Sequence, residues 1–301
     1  IDTASAYARG DSELGVANVI NTPSKRDRVF ITTKTSGWLD KSRRPYYDKI
    51  WEGLNARAQG RVRAVVGARI QAEGILDEYY ICNYGDWQVT QTEALYRDDV
   101  LEDWYPQEIS AAERREMSAK VISELEGSLK RLGTDYVDIL VGPHGGSGAA
   151  HLFSPELLQA VEQLKRQGKI RFLGVSSHNN PAKVTIAAAK SKVYDMAMPA
   201  YNISTEPWMK PALEVAGRED LGIIAMKVAR AVFPDRGGNS VKPLPGLEAK
   251  MHKLVPGDMH IAQKAYIWAL QNPHVAGCVS AIPNIEMTIA NAALAGKTMP
   301  A

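Results

Sequence analysis

The sequence predicts an α/β fold, a (β/α)8 barrel of the TIM type. Three observations predict it. Short apolar, β-branched runs alternate with longer stretches of helical periodicity, the pattern of a parallel sheet with helices outside it. No G-x-G-x-x-G follows an early strand, which argues against the competing closure, an open dinucleotide-binding sheet. The 301 residues, 45% apolar and 23% charged, have the composition of an ordinary globule of barrel size.

Taken in order, the strands fall at 29–33, 136–141, 170–175, 196–200, 222–226 and 275–282. Each is a short β-branched or apolar run. Helical patterns, with apolar residues at i, i+3 and i+4, fall at 117–132, 155–166, 181–190 and 261–270. Ser154-Pro155 and Asn180-Pro181 place a capping residue before a proline at helix starts. Gly133, Gly168 and Gly217 stand where a helix end wants a left-handed residue. The whole chain, 1–301, reads as one barrel with a single interruption. Residues 38–115 hold eleven of the 22 aromatics, basic in the first half and acidic in the second. They read as an insertion whose halves attract each other, or as a lid or wall over a substrate pocket. Within it, 60–85 is a candidate for an extra strand, through Arg61 to Val66 and Tyr79 to Cys82.

The charge balance, 36 basic against 34 acidic residues, gives no electrostatic reason to expect nucleic acid or an anionic membrane as partner. No apolar run approaches the roughly 18 residues of a membrane helix. Cys82 and Cys278 match no metal or redox spacing, and His151, His252, His260 and His274 no ligand spacing, so no metal is expected. A cytoplasmic location is the default. The chain opens at Ile1 without an initiator Met, so an exported form stays open.

In a barrel, chemistry gathers at the C-terminal ends of the strands. Read in order, those ends carry Asp2 with Tyr7 beyond it, then Lys34, His144, Ser176-Ser177-His178, Tyr201-Asn202 and Met226-Lys227. An ammonium beside a phenol favours the phenolate, and an aspartate keeps the ammonium charged and oriented. A histidine beside the phenol can orient a carbonyl. Such a set protonates a carbonyl oxygen as hydride reaches its carbon. Singly, each residue has a plainer reading: Asp2 as a loop cap, Tyr7 as a half-buried aromatic, Lys34 reaching solvent, His144 in a turn.

Four segments together resemble the aldo-keto reductase family. Asp2-Thr3-Ala4-x-x-Tyr7 followed by Ser12-Glu13 and Gly15 is similar to its D-T-A-x-x-Y-x-x-S-E-x-x-G segment. Arg28 to Lys34 resembles its lysine strand, Ser128 to Asp138 its helix and strand before the catalytic histidine, and Gly168 to Ser176 the strand after it. The resemblance implies an NAD(P)-dependent oxidoreductase that moves hydride between nicotinamide and a carbonyl or alcohol. It makes Tyr7 the general acid or base, Asp2 and Lys34 its tuning pair, and His144 the residue that orients the carbonyl. It also implies a cofactor bound without a Rossmann fold. Ser176 and Ser177 would hold the carboxamide, with serine where the family most often has asparagine at the second position. Met198 and Met226 would stand where the family often has glutamine and tyrosine, and Lys227 would follow. Asn291 matches an adenine-contacting asparagine.

The cofactor is NAD or NADP. The stretch 280–291 has no basic residue and carries Glu286, which favours NAD, while Lys227, Arg230 or Arg236 would supply charge for a 2′-phosphate. The glycine-containing loop at 236–239 is placed to close over the pyrophosphate.

Two departures stand out. The family's first barrel strand has no counterpart before Ile1, and Lys34 and His144 lie 110 residues apart, far more than is typical. They keep a second reading open, a nucleotide-binding barrel with a regulatory or scaffold role and little turnover. A third is redox-neutral sugar chemistry on a bound cofactor. The substrate is a small carbonyl or alcohol (aldehyde, ketone or sugar), with Trp208 as a candidate pocket wall. Oligomeric state is not readable.

Overall fold

The structure, a computed structural model, describes residues 1–35, 43–81, 86–145, 149–233, 244–280, 282 and 284–297. Trp38, Cys82, Tyr84 and the loop at 236–239 lie outside them. Six strands, β1 (Thr32–Lys34), β2 (Val137–Val141), β3 (Ile170–Ser177), β4 (Met196–Pro199), β5 (Gly222–Ala225) and β6 (Gly277–Cys278), alternate with helices. Before β1 lie α1 (Asp11–Val19) and α2 (Pro23–Arg26). Between β1 and β2 come α3 (Arg44–Gly53), α4 (Ala56–Glu73), α5 (Glu78–Ile81), α6 (Asp86–Trp104) and α7 (Ala111–Leu132). Then follow α8 (Ala149–Leu152), α9 (Pro155–Arg166), α10 (Pro181–Ser191), α11 (Glu206–Arg218), α12 (Leu247–Leu254), α13 (Ile261–Leu270) and α14 (Ile285–Ala292). Among the described residues, no helix is long and apolar enough to cross a membrane.

Contacts divide the chain into two compact units, one of residues 1–69, 94–176 and 193–196, the other of 70–93, 177–192 and 197–301. In the first, β1, β2 and β3 pair in parallel and in chain order, with Thr32 opposite Ile139 and Ile139 opposite Phe172. Residues 1–3 run beside β1: Thr3 donates to the Thr32 carbonyl and Thr32 to that of Ile1, each at 2.9 Å. Asp138, buried in β2, ties this sheet together. Its Oδ2 accepts from the Ile31 amide and the Arg26 guanidinium, and its Oδ1 from Arg171. Helix α7 starts at a capping box, Ser110 with Glu113, and ends at left-handed Gly133. Its Val121, Leu125, Leu129 and Leu132 are buried at helical spacing.

In the second unit, Met226 links the strand ends: its amide donates to Pro199 and its carbonyl accepts from Tyr201, each at 3.0 Å. β5 and β6 pair in parallel, Ala225 opposite Cys278. Tyr201 stacks on Trp268 at 5.1 Å.

Several expectations need correction. Residues 60–85 add no strand among those described; α4 and α5 occupy them. Ala58, Val62, Val66 and Ile70 are buried at a spacing of four, and that period outweighs the β-branched run. Gly217 is no cap, for α11 runs past it to Arg218. It is glycine because a methyl there would overlap the His274 ring. Ser154 makes no side-chain cap, its hydroxyl donating back to the Ala150 carbonyl. α7 begins six residues before the 117 expected, since Ser110-x-x-Glu113 had gone unread. The run at 275–282 contains a described strand only at Gly277–Cys278. Across 38–115, Arg69 of the basic half pairs with Asp103 of the acidic half at 3.2 Å, while Arg97 with Asp48 at 2.6 Å runs the opposite way.

Candidate active site

In the first unit the strand ends bring Asp2, Tyr7, Lys34 and His144 together. Lys34 is the last residue of β1, 2% exposed. Its three ammonium protons have three acceptors: both Asp2 carboxylate oxygens at 2.7 and 2.8 Å and the Thr3 carbonyl at 2.8 Å. A buried lysine needs such full pairing to stay charged. The same ammonium lies over the face of Tyr7, 4.5 Å from the ring centroid. The Tyr7 ring is 39% exposed and meets His144 edge to face at 6.5 Å between centroids. His144 is half-buried beyond the end of β2. Burial, with Lys34 as the second cause, pulls its imidazole down to about 4, so it is neutral at pH 7.

The backbone that presents Tyr7 is unusual. Ala8, Arg9 and Gly10 follow it with φ of 48°, 56° and 99°, three consecutive left-handed residues. For Ala8 and Arg9 this costs about 1–2 kcal/mol each and persists only when the surroundings enforce it. Those surroundings are visible. A Cβ on Gly10 would sit 2.9 Å from the Arg131 side chain. Arg131 in turn donates to Glu13 at 2.6 Å, and Glu13, wholly buried, accepts from Thr33 at 2.6 Å. Thr3 and Ser12 share a hydroxyl–hydroxyl bond at 2.8 Å. Ser12 thus fastens α1 to Thr3, and Glu13 fastens it to Thr33, the residue before Lys34. In the sequence, the signal for this role is an acidic residue on the inner face of a short helix.

Ser176 closes this unit's part of β3, and its hydroxyl accepts from the Gly145 amide at 3.0 Å, one residue past His144.

The other candidates belong to the second unit. Ser177 is 2% exposed and its hydroxyl has no hydrogen-bond partner among the described residues. A buried hydroxyl without a partner costs about 1–3 kcal/mol, which marks a place where a polar group from outside would be welcome. Met198 and Met226 are buried, 2% and 8% exposed, as parts of the core around the strand ends. Lys227 has a left-handed φ of 59°. Burial and then the neighbouring Arg230 pull its ammonium down to about 7, a situation that an anion would relieve. Asn202 donates to the Lys227 carbonyl at 3.1 Å, fixing the turn. Asn291 donates to Ser280 at 3.2 Å. Trp208 packs edge to face on Tyr80 at 5.2 Å. Among the described residues no cluster of His, Cys, Asp or Glu is arranged to hold a metal.

The family model described as "Aldo/keto reductase family" matches residues 1–233. An uncharacterized oxidoreductase of Bacillus subtilis is 28% identical over 207 residues, 63% of this chain and 62% of that protein. An aldo-keto reductase of Alternaria alternata is 39% identical over 59 residues, 20% of this chain and 15% of its own. The chain thus spans less than two thirds of the length of these curated relatives. Among solved structures, an aldo-keto reductase of Bacillus halodurans in its holo form superposes with a TM-score of 0.59 at 18% identity, covering 100% of this chain and 78% of that one. A Bombyx mori aldo-keto reductase in complex with NADP gives 0.53 at 17%, covering 100% and 74%. Likeness at these identities shows the fold, which is the (β/α) barrel type of those enzymes. By its family model, its strand order and its fold, the chain belongs to the aldo/keto reductase family.

Proposed function

We propose that this protein is a nicotinamide-dependent carbonyl reductase, reversible as an alcohol dehydrogenase, with Tyr7 as general acid and base. The observation that carries the reading is the Lys34 ammonium, held by Asp2 and pressed on the face of Tyr7.

When bound, the nicotinamide dinucleotide supplies or takes up the hydride. The chain's own residues do the rest. Tyr7, exposed at its ring, gives its hydroxyl proton to the carbonyl oxygen. The phenolate left behind is stabilised by the ammonium of Lys34, whose charge Asp2 secures. His144, neutral, is a hydrogen-bond partner for the carbonyl oxygen rather than a competing cation. The residues of the second unit fit a dinucleotide. The partnerless Ser177 hydroxyl suits a carboxamide, and the Lys227–Arg230 pair suits a phosphate. The NADP-bound and holo relatives support the same cofactor class.

The test is absorbance of NADH and NADPH with a panel of aldehydes, ketones and sugars. Turnover is expected with at least one carbonyl. Tyr7→Phe should lower kcat by about a thousandfold or more while leaving cofactor affinity within about twofold. Cofactor binding without turnover on any carbonyl would favour the scaffold reading. Turnover that survives Tyr7→Phe unchanged would remove Tyr7 from the chemistry.

A further inference from the structure

The segment 70–93, from the long stretch between β1 and β2, packs within the second unit against the turn that follows Ser177. That turn contains two buried amides, Asn179 at 4% and Asn180 at 3% exposure. Buried amides must find partners, and this segment supplies several of them. Asn179 Nδ2 donates to Thr92 Oγ1 at 3.0 Å, and the Asn179 carbonyl accepts from the Tyr80 hydroxyl at 3.4 Å. Asn180 Nδ2 donates to Glu73 Oε2 at 2.7 Å, while its Oδ1 caps α10 by accepting from the Lys183 amide at 3.3 Å. Lys183 closes the ring on Glu73 at 3.5 Å. Both ends of the Asn180 amide are therefore committed. On the other side, the Ser177 carbonyl is pinned by the Ala200 amide at 3.2 Å. The partnerless Ser177 hydroxyl sits on a backbone fixed from both directions.

We infer that Glu73, Tyr80 and Thr92 are positioning residues for the cofactor: they hold the 178–180 turn and thereby the Ser177 hydroxyl in the orientation that receives the dinucleotide. This rests on the reading of Ser177 given above. Through these contacts the segment between β1 and β2 serves the binding site without touching the ligand. The Tyr80 ring against Trp208 extends the same grip to the start of α11.

The experiment is equilibrium titration of NADH and NADPH against the full chain and its variants, with steady-state kinetics alongside. Glu73→Ala with Thr92→Val should raise the Kd of whichever dinucleotide the parent binds by about fivefold or more, its KM rising in parallel and kcat at saturation staying within about twofold. Glu73→Gln with Thr92→Ser keeps both acceptors and should remain within about twofold of the parent. A purely structural role would lower Tm in the first pair without moving Kd, and that result overturns the inference. If the first pair does not fold, Thr92→Val alone, which keeps the shape, should still raise Kd by about two- to threefold, and an unchanged Kd overturns the inference. A parent chain that binds neither NADH nor NADPH brings down the cofactor reading, and this inference with it. A parent that binds while every variant binds equally well overturns this inference alone.

Discussion

The strand ends of the two units are built on different principles. In the first unit, charge is matched at short range: three acceptors for three protons on Lys34, and Glu13 shared by Thr33 and Arg131. In the second, the corresponding positions are methionines, a serine hydroxyl with no partner and a desolvated lysine beside an arginine. The first arrangement is complete by itself. The second keeps the buried Ser177 hydroxyl without a hydrogen-bond partner among the described residues. On the reading proposed above, the first set transfers a proton and must be preorganised before substrate arrives, whereas the second keeps its donors and acceptors for a ligand.

The sharpest way to break this contrast is to remove the charge at its centre. Lys34→Met leaves the Asp2 carboxylate without its partner, which costs about 3–5 kcal/mol of stability for a buried pair. It should also lower kcat by about a thousandfold. Thermal unfolding with single-turnover kinetics checks both. A variant with parent-like Tm would mean that the pair contributes little to the fold. Ser177→Ala probes the other side and should behave in the opposite sense. It removes an unsatisfied hydroxyl, so Tm should hold or rise slightly, while Kd for the cofactor rises by about fivefold for one lost hydrogen bond. A lower Tm with unchanged Kd would make Ser177 a core residue and erase the contrast. The smallest effect concerns pH. His144 binds its proton less readily folded than unfolded, with values of about 4 and 6.5. Above 6.5 the neutral imidazole contributes its full share of stability; as pH falls from 6.5 through about 4 the unfolded chain protonates first and that share is lost. Histidine proton shifts followed by NMR should show one ring titrating near 4, and a His144 midpoint at or above 6.5 would contradict its burial.

These differences also explain what could be read from the sequence. The juxtaposition of Asp2, Tyr7, Lys34 and His144 was legible because each stands at or just beyond a strand end, and a barrel brings strand ends together; the helices at 155–166 and 261–270 were legible because their apolar spacing marks them from end to end. The left-handed run after Tyr7 was not legible, since only Gly10 of its three residues signals it, and the Arg131 side chain that packs against Gly10 comes from 121 positions away. The segment between β1 and β2 was misread in part, its Arg61 to Val66 run looking like a strand until the four-residue burial period of α4 is seen. The roles of Glu73 and Thr92 could not be inferred at all, because their partners lie about a hundred positions away.

That last dependence works as a ratchet. Deleting the segment removes the acceptors that the Asn179 and Asn180 side chains find in Thr92 and Glu73, a penalty of about 1–3 kcal/mol for each lost partner. Excising the segment without loss of stability would therefore require replacing the two asparagines first. The order of those steps, substitution before excision, is set by two amide groups.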